Sequence, residues 1–109
     1  MTDTYKVLGQ SAPSATTLTD IYTCPTSTSA IVSTIVIANR SNAIISFRLA
    51  VSVGGGAINN KDYIYYDIDI QPYDAFATTI GITLQATDKI RMYCSTANSS
   101  ISIFGKEIT

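Results

Sequence analysis

Histidine and tryptophan are absent from this chain of 109 residues, and charge is scarce, with seven basic and eight acidic side chains and a net charge of -1. The missing histidine removes the Ser-His-Asp and Cys-His nucleophile systems and every imidazole-based metal site. It also removes the usual titration switch near neutral pH. Cysteine is limited to Cys24 and Cys94. Two thiols so far apart cannot form a structural zinc site alone. The two could form one disulfide, but a chain kept in the cytoplasm is normally reduced. Each sits in an apolar strand context with no histidine or second cysteine beside it, so buried, free and unreactive thiols are the expectation. The basic residues Lys6, Arg40, Arg48, Lys61, Lys89, Arg91 and Lys106 are scattered. No cluster could neutralise successive phosphates, which argues against a nucleic-acid partner. No apolar run approaches the ~20 residues that span a bilayer as a helix, so no membrane partner is expected. The opening MTDTYKVLGQ lacks a basic region followed by an apolar core, and synthesis in the cytoplasm is the default expectation.

What is present is apolar and neutral. Hydrophobic residues make up 46% of the chain and charged ones 14%, too apolar a balance for a disordered segment. The expected outward positions are filled by Ser, Thr, Ala, Asn and Tyr. Such a surface suits a subunit covered by neighbours; the alternative is a monomer with a neutral, Thr-rich face.

The region from Asp62 to Ser95 organises the rest. It reads as three strands joined by two turns that echo each other, Gln71-Pro72-Tyr73-Asp74 and Gln85-Ala86-Thr87-Asp88. In each, Gln leads into the bend and Asp closes it, because a short carboxylate can accept from nearby backbone N–H groups. Before this region, strands are predicted at 4–10, 18–24, 30–38 and 44–53. The 30–38 strand carries Ile31, Ile35 and Ile37 on one face and Val32, Val36 and Ala38 on the other, so it is covered on both. The 44–53 strand alternates, with Ile45, Phe47, Leu49, Val51 and Val53 inward, and is predicted to form a hairpin with the strand before it. Gly54-Gly55-Gly56 reads as a flexible loop, since no helix follows to make a phosphate cradle. Later strands place Ile64, Tyr66, Ile68 and Ile70 inward, then Phe76, Thr78, Ile80, Ile82 and Leu84, then Ile90, Met92 and Cys94. The last strand, 100–108, is expected to bend at Gly105. No segment shows a helical apolar period. The fold class is therefore all-β: one domain over 1–109, an antiparallel β-sandwich of about eight short strands, with the jelly roll as a candidate form.

Chemistry-bearing residues are few. Asp67 and Asp69 share a predicted face with Asp62 nearby, which could serve a calcium ion or a glycosidase. No calcium-loop spacing is present, and a solvated strand face explains them as well. No cofactor is implied. The best binding feature is Tyr63 and Tyr65, read as outward beside Asp67 and Asp69, with Tyr73 and Tyr93 extending the patch. Exposed tyrosines anchor protein interfaces and sugar rings; the alternative is packing within the chain. The triplets Asn39-Arg40-Ser41 and Asn98-Ser99-Ser100 match the glycosylation pattern, by accident if no signal directs secretion.

Four stretches, TYKVLGQSAPSATTLTDIYTCP, IVSTIVIANRS, GITLQATDKIRMYCST and SISIFGKEIT, resemble small virion structural proteins of tailed bacteriophages, including phages of cyanobacteria. The most specific parts are VLGQSAP with LTDIYT, the IANRS turn and the closing ISIFGKEIT. The resemblance implies a compact sandwich located in the virion and made in the host cytoplasm. Such a subunit works by packing on other virion proteins of capsid or tail, commonly as a homo-oligomer such as a trimer. A module binding host surface glycans through the tyrosine face is the alternative function.

Overall fold

The computed structural model describes residues 2–109. Eight strands form: β1 (Asp3–Ser11), β2 (Thr19–Thr23), β3 (Ser29–Asn39), β4 (Ile45–Ser52), β5 (Tyr63–Ile70), β6 (Ala75–Leu84), β7 (Lys89–Cys94) and β8 (Ser99–Ile108). They build two four-stranded antiparallel sheets, sheet A in the order β1-β8-β3-β6 and sheet B in the order β2-β7-β4-β5. Pairing is nested: β1 with β8, β2 with β7, β3 with β6 and β4 with β5. A long hairpin folded over on itself gives this pattern, and the added β3·β8 and β4·β7 ladders close it into an eight-stranded jelly roll. Consecutive strands therefore lie in opposite sheets, except β4 and β5, which form the hairpin at the folded end of sheet B. The predicted hairpin of the third and fourth strands does not form, because the turn after Asn39 carries the chain across the sandwich instead of back along one sheet.

The core lies between the sheets. Val32, Ile35, Ile37, Phe47, Leu49, Leu84, Ile90, Met92 and Ile103 have no exposed surface. Each fully buried Leu, Ile, Val, Phe or Met contributes about 1.5–3 kcal/mol to folding. Cys24 and Cys94 are buried and free. Ala30 and Val32 point inward, and so do Ile35 and Ile37. The single facing read for β3 is corrected by a bulge: the register to β8 slips by one between Val32 and Thr34, and the extra Ser33 flips the parity. β8 runs as continuous strand through Gly105, which sits opposite this bulge, where a Cβ would lie 2.0 Å from the Ile31 carbonyl oxygen.

The echoed turns are real. Asp74 N–H donates to the Gln71 carbonyl and Asp88 N–H to the Gln85 carbonyl, each at 3.1 Å. Tyr73 and Thr87 occupy the same left-handed position in the two bends. The Asp74 carboxylate accepts from Ala75 N–H, and that of Asp88 accepts from Gln85 N–H and Gly54 N–H. The triple-glycine loop is consequently tied down rather than flexible, with Arg91 also donating to the Gly55 and Gly56 carbonyls. Val53, read as inward, is exposed at the start of this loop. Buried Asn39 donates to the Ala43, Ile70 and Gln71 carbonyls and accepts from Ser41, so its amide is fully occupied in the folded chain.

Candidate interaction surfaces

Two irregularities in the β4·β5 register decide which side chains reach the outer surface of sheet B. One falls between Phe47 and Leu49, the other between Leu49 and Ala50. Asp67, at the first, has φ of 52°, a left-handed position that Asp tolerates better than most residues. The ladder aligns Asp20, Arg91, Ala50 and Tyr63 in one row across the four strands. In the neighbouring row Arg48 pairs with Tyr93. The Arg48 guanidinium lies 4.2 Å from the centre of the Tyr66 ring and 4.7 Å from that of Tyr93. Its Nε donates to Asp67 Oδ1 at 2.6 Å and its second arm to Oδ2 at 3.3 Å. A planar cation between two aromatic faces and a carboxylate fits arginine and would not suit lysine. The bond from Arg48 holds the Asp67 carboxyl below the usual carboxylate range and raises Arg48 in turn. A second cluster joins Lys89 and Arg91 to Asp20, at 2.8 and 2.6 Å, and lowers Asp20, chiefly through Lys89.

The six sequence candidates separate in this frame. Tyr63 is half-buried and meets Tyr66 edge-on, with centroids 5.1 Å apart. Asp67 and Asp69 are exposed, and Tyr93 flanks Arg48. Tyr65 is corrected: it turns inward between Phe47 and Phe76, and its hydroxyl donates to Thr78. Ile64 and Tyr66, read as inward, are 40% and 55% exposed. Tyr73 stands apart at the first turn, 74% exposed. Arg48 and Tyr66 complete the cluster and were missed as binding residues. Nothing in the sequence signalled this, since Ile64, Tyr66, Ile68 and Ile70 keep an unbroken alternation and the irregularity at Asp67 appears only in the register.

The outer surface of sheet A has a different character. Tyr5 and Val7 of β1 are 78% and 48% exposed. Beside them lie Phe104, Ile31, Val36 and Ala38, all half-buried, then Ala75, Ala77, Thr79 and Thr83 of β6. Charged residues that join this surface are Asp3 and Lys106, paired at 3.2 Å with Lys106 over the Tyr5 ring, and at its far end Arg40, which donates to Ser100 beside Ala38.

Reactive chemistry has little material. Among the described residues no three His, Cys, Asp or Glu side chains gather to hold a metal ion. Asp62 closes a short turn by accepting from Asn59 N–H. Burial pushes the Cys24 thiol up, and it donates to the Thr28 carbonyl. An open cleft of about 580 Å³ is lined by Ser27, Thr28, Ser29, Gln85, Ala86, Ile108 and Thr109, with no acid or base among their side chains. What the fold and its surfaces define is a jelly-roll sandwich with one neutral face and one aromatic, ion-paired face. Comparison with protein-family models, with curated proteins and with solved structures returned no match.

Proposed function

We propose that the chain is a non-enzymatic structural subunit of a bacteriophage virion, a capsid decoration (cement) protein or a tail, neck or fibre component, acting by packing against other virion proteins and against its own copies. The observation that carries this reading is the outer surface of sheet A, where Tyr5, Val7, Phe104, Ile31 and Val36 form an apolar patch among small neutral residues. Contiguous apolar surface rimmed by polar groups marks contact sites, and tyrosine and phenylalanine are favoured anchors there. The motif resemblance supports the virion setting. The jelly roll agrees with it by analogy only, since the architecture serves viral capsids and lectins alike. The test is mass spectrometry of purified particles together with surface labelling. The chain should be present in fixed copy number, with Tyr5 shielded in particles and labelled in the free protein. Particles that lack the chain would overturn the assignment.

A second reading has its own observation. Tyr63, Tyr66 and Tyr93 stand on the outer surface of sheet B beside Asp67 and Asp69, where rings could stack on sugars and carboxylates could accept from hydroxyls. A glycan array probed with and without calcium ions decides it: no signal in either condition removes glycan recognition.

A further inference from the structure

Each sheet of an open sandwich leaves two edge strands with unpaired backbone groups, and folded proteins normally guard them. Here the edges are β1 and β6 of sheet A and β2 and β5 of sheet B. β1 carries Asp3 and Lys6. β2 is only five residues long and includes Asp20. β5 carries Asp67 and Asp69 and two register irregularities. β6, AFATTIGITL, is ten residues long and holds neither a charge nor a proline. Its guard is a single irregularity between Ile82 and Thr79, which leaves a regular ladder from Thr79 to Ala75.

We propose that the Ala75–Thr79 edge of β6 pairs antiparallel with the same edge of a second copy, around a two-fold axis at Ala77, joining the two A sheets into one. The proposal names the partner for the assembly reading above, with a two-fold pair in place of the trimer that the resemblance implied. The backbone sets the register. Asn39 N–H donates to the Asp74 carbonyl at 2.8 Å. Alternation along an antiparallel ladder then directs the N–H and C=O groups of Ala77 and Thr79 and the C=O of Ala75 away from β3, toward the open edge, while the Ala75 N–H is already taken by the Asp74 carboxylate. Across the axis Ala77 faces its own copy and Ala75 faces Thr79, small side chains that allow close approach. Tyr73, exposed at the turn, comes into register with the other copy's Gly81, where a Cβ would meet nothing within 4 Å. An aromatic side chain over a bare strand glycine is a favourable cross-strand pair. Charge selects a second copy at this edge over the others. Like groups meet across a two-fold axis, and β6 alone among the four edge strands has no charge to repel its own image. The half-exposed Phe76 on the same strand would be covered by the pairing.

Light scattering on a size-exclusion column tests this with three proteins. The native chain should run at twice its 11.7 kDa mass. Ala77→Lys and Ala77→Asp should each halve that mass while keeping the native circular dichroism, since residue 77 is exposed. Mixing the two variants should restore the doubled mass, because opposite charges now meet at the axis. A native chain that stays monomeric or forms a trimer, or variants that keep the dimer, would overturn the proposal. Failure of this kind would leave the virion assignment to the particle measurement, which does not depend on β6.

Discussion

At the flank where β1 meets β2 the two sheets are pressed together. Gly9 brings its backbone so close to β2 that a Cβ would lie 2.6 Å from the Ile21 carbonyl oxygen. Beside it the Tyr22 hydroxyl of β2 donates to Glu107 of β8 at 2.5 Å, and Lys6 of β1 donates to the same carboxylate at 2.9 Å. At the opposite flank, between β5 and β6, the link across the sheets is the Tyr65 hydroxyl donating to Thr78 at 3.3 Å. Five of the seven partly buried apolar residues packed on the core, Tyr65, Ile68, Phe76, Ile80 and Ile82, belong to these two strands. One flank is sealed by a glycine contact and a charge-assisted bond; the other keeps apolar surface half-open beside an unguarded strand edge. A sandwich needs only the first arrangement to be stable, so the second is where assembly has room to act.

The largest expected effect separates the flanks through their glycines. Gly9→Ala should cost about 3 kcal/mol of unfolding free energy, because backbone atoms must move to admit the methyl group. Gly81→Ala, with open space around it, should be neutral or stabilising by up to about 1 kcal/mol through a stiffer unfolded chain. Chemical denaturation measures both, and equal losses would break the contrast. The hydroxyls give the next pair. Tyr22→Phe should cost about 2 kcal/mol, since it removes a bond to a charged group. Tyr65→Phe should cost about 0.5 kcal/mol, since it removes a neutral one at a half-open site.

A pH effect follows from the sealed flank. The Tyr22 hydroxyl first, and the Lys6 ammonium second, hold the Glu107 carboxyl below its ordinary value near 4.5. A depressed carboxylate stabilises fully above its unfolded value and loses that contribution as the pH falls through the lower folded value. Thermal unfolding should therefore show declining stability as the pH falls below 4.5, with a shallower decline in Tyr22→Phe. The smallest effect belongs to the ion-paired outer face. Arg48→Ala should leave the denaturation midpoint nearly unchanged, because solvent screens an exposed cation paired with an exposed carboxylate.

Much of the architecture is legible in the chain. Gln71-Pro72-Tyr73-Asp74 and Gln85-Ala86-Thr87-Asp88 declare matching bends, and the inward rows of β6 and β7 stand where alternation puts them. What alternation cannot see is an inserted residue. Ser33 in β3 and Asp67 in β5 each shift the register, so Val32 joins the core and Tyr65 exchanges places with Tyr66. Strand order is hidden for another reason. The turn after Asn39 looks like a hairpin turn locally, but its buried amide bonds to carbonyls at Ile70 and Gln71, far along the chain, and the path crosses to the other sheet. For the same reason Arg48 could not be placed beside Tyr66 from sequence, since their meeting depends on the bulge.

Residue-resolved amide hydrogen exchange, run on dilute and concentrated samples, tests the open flank most directly. The account predicts that the Ala77 and Thr79 amides exchange rapidly in dilute solution and become protected as concentration rises, while β1 and β2 amides are unchanged. Free exchange at those two amides in both samples would contradict it.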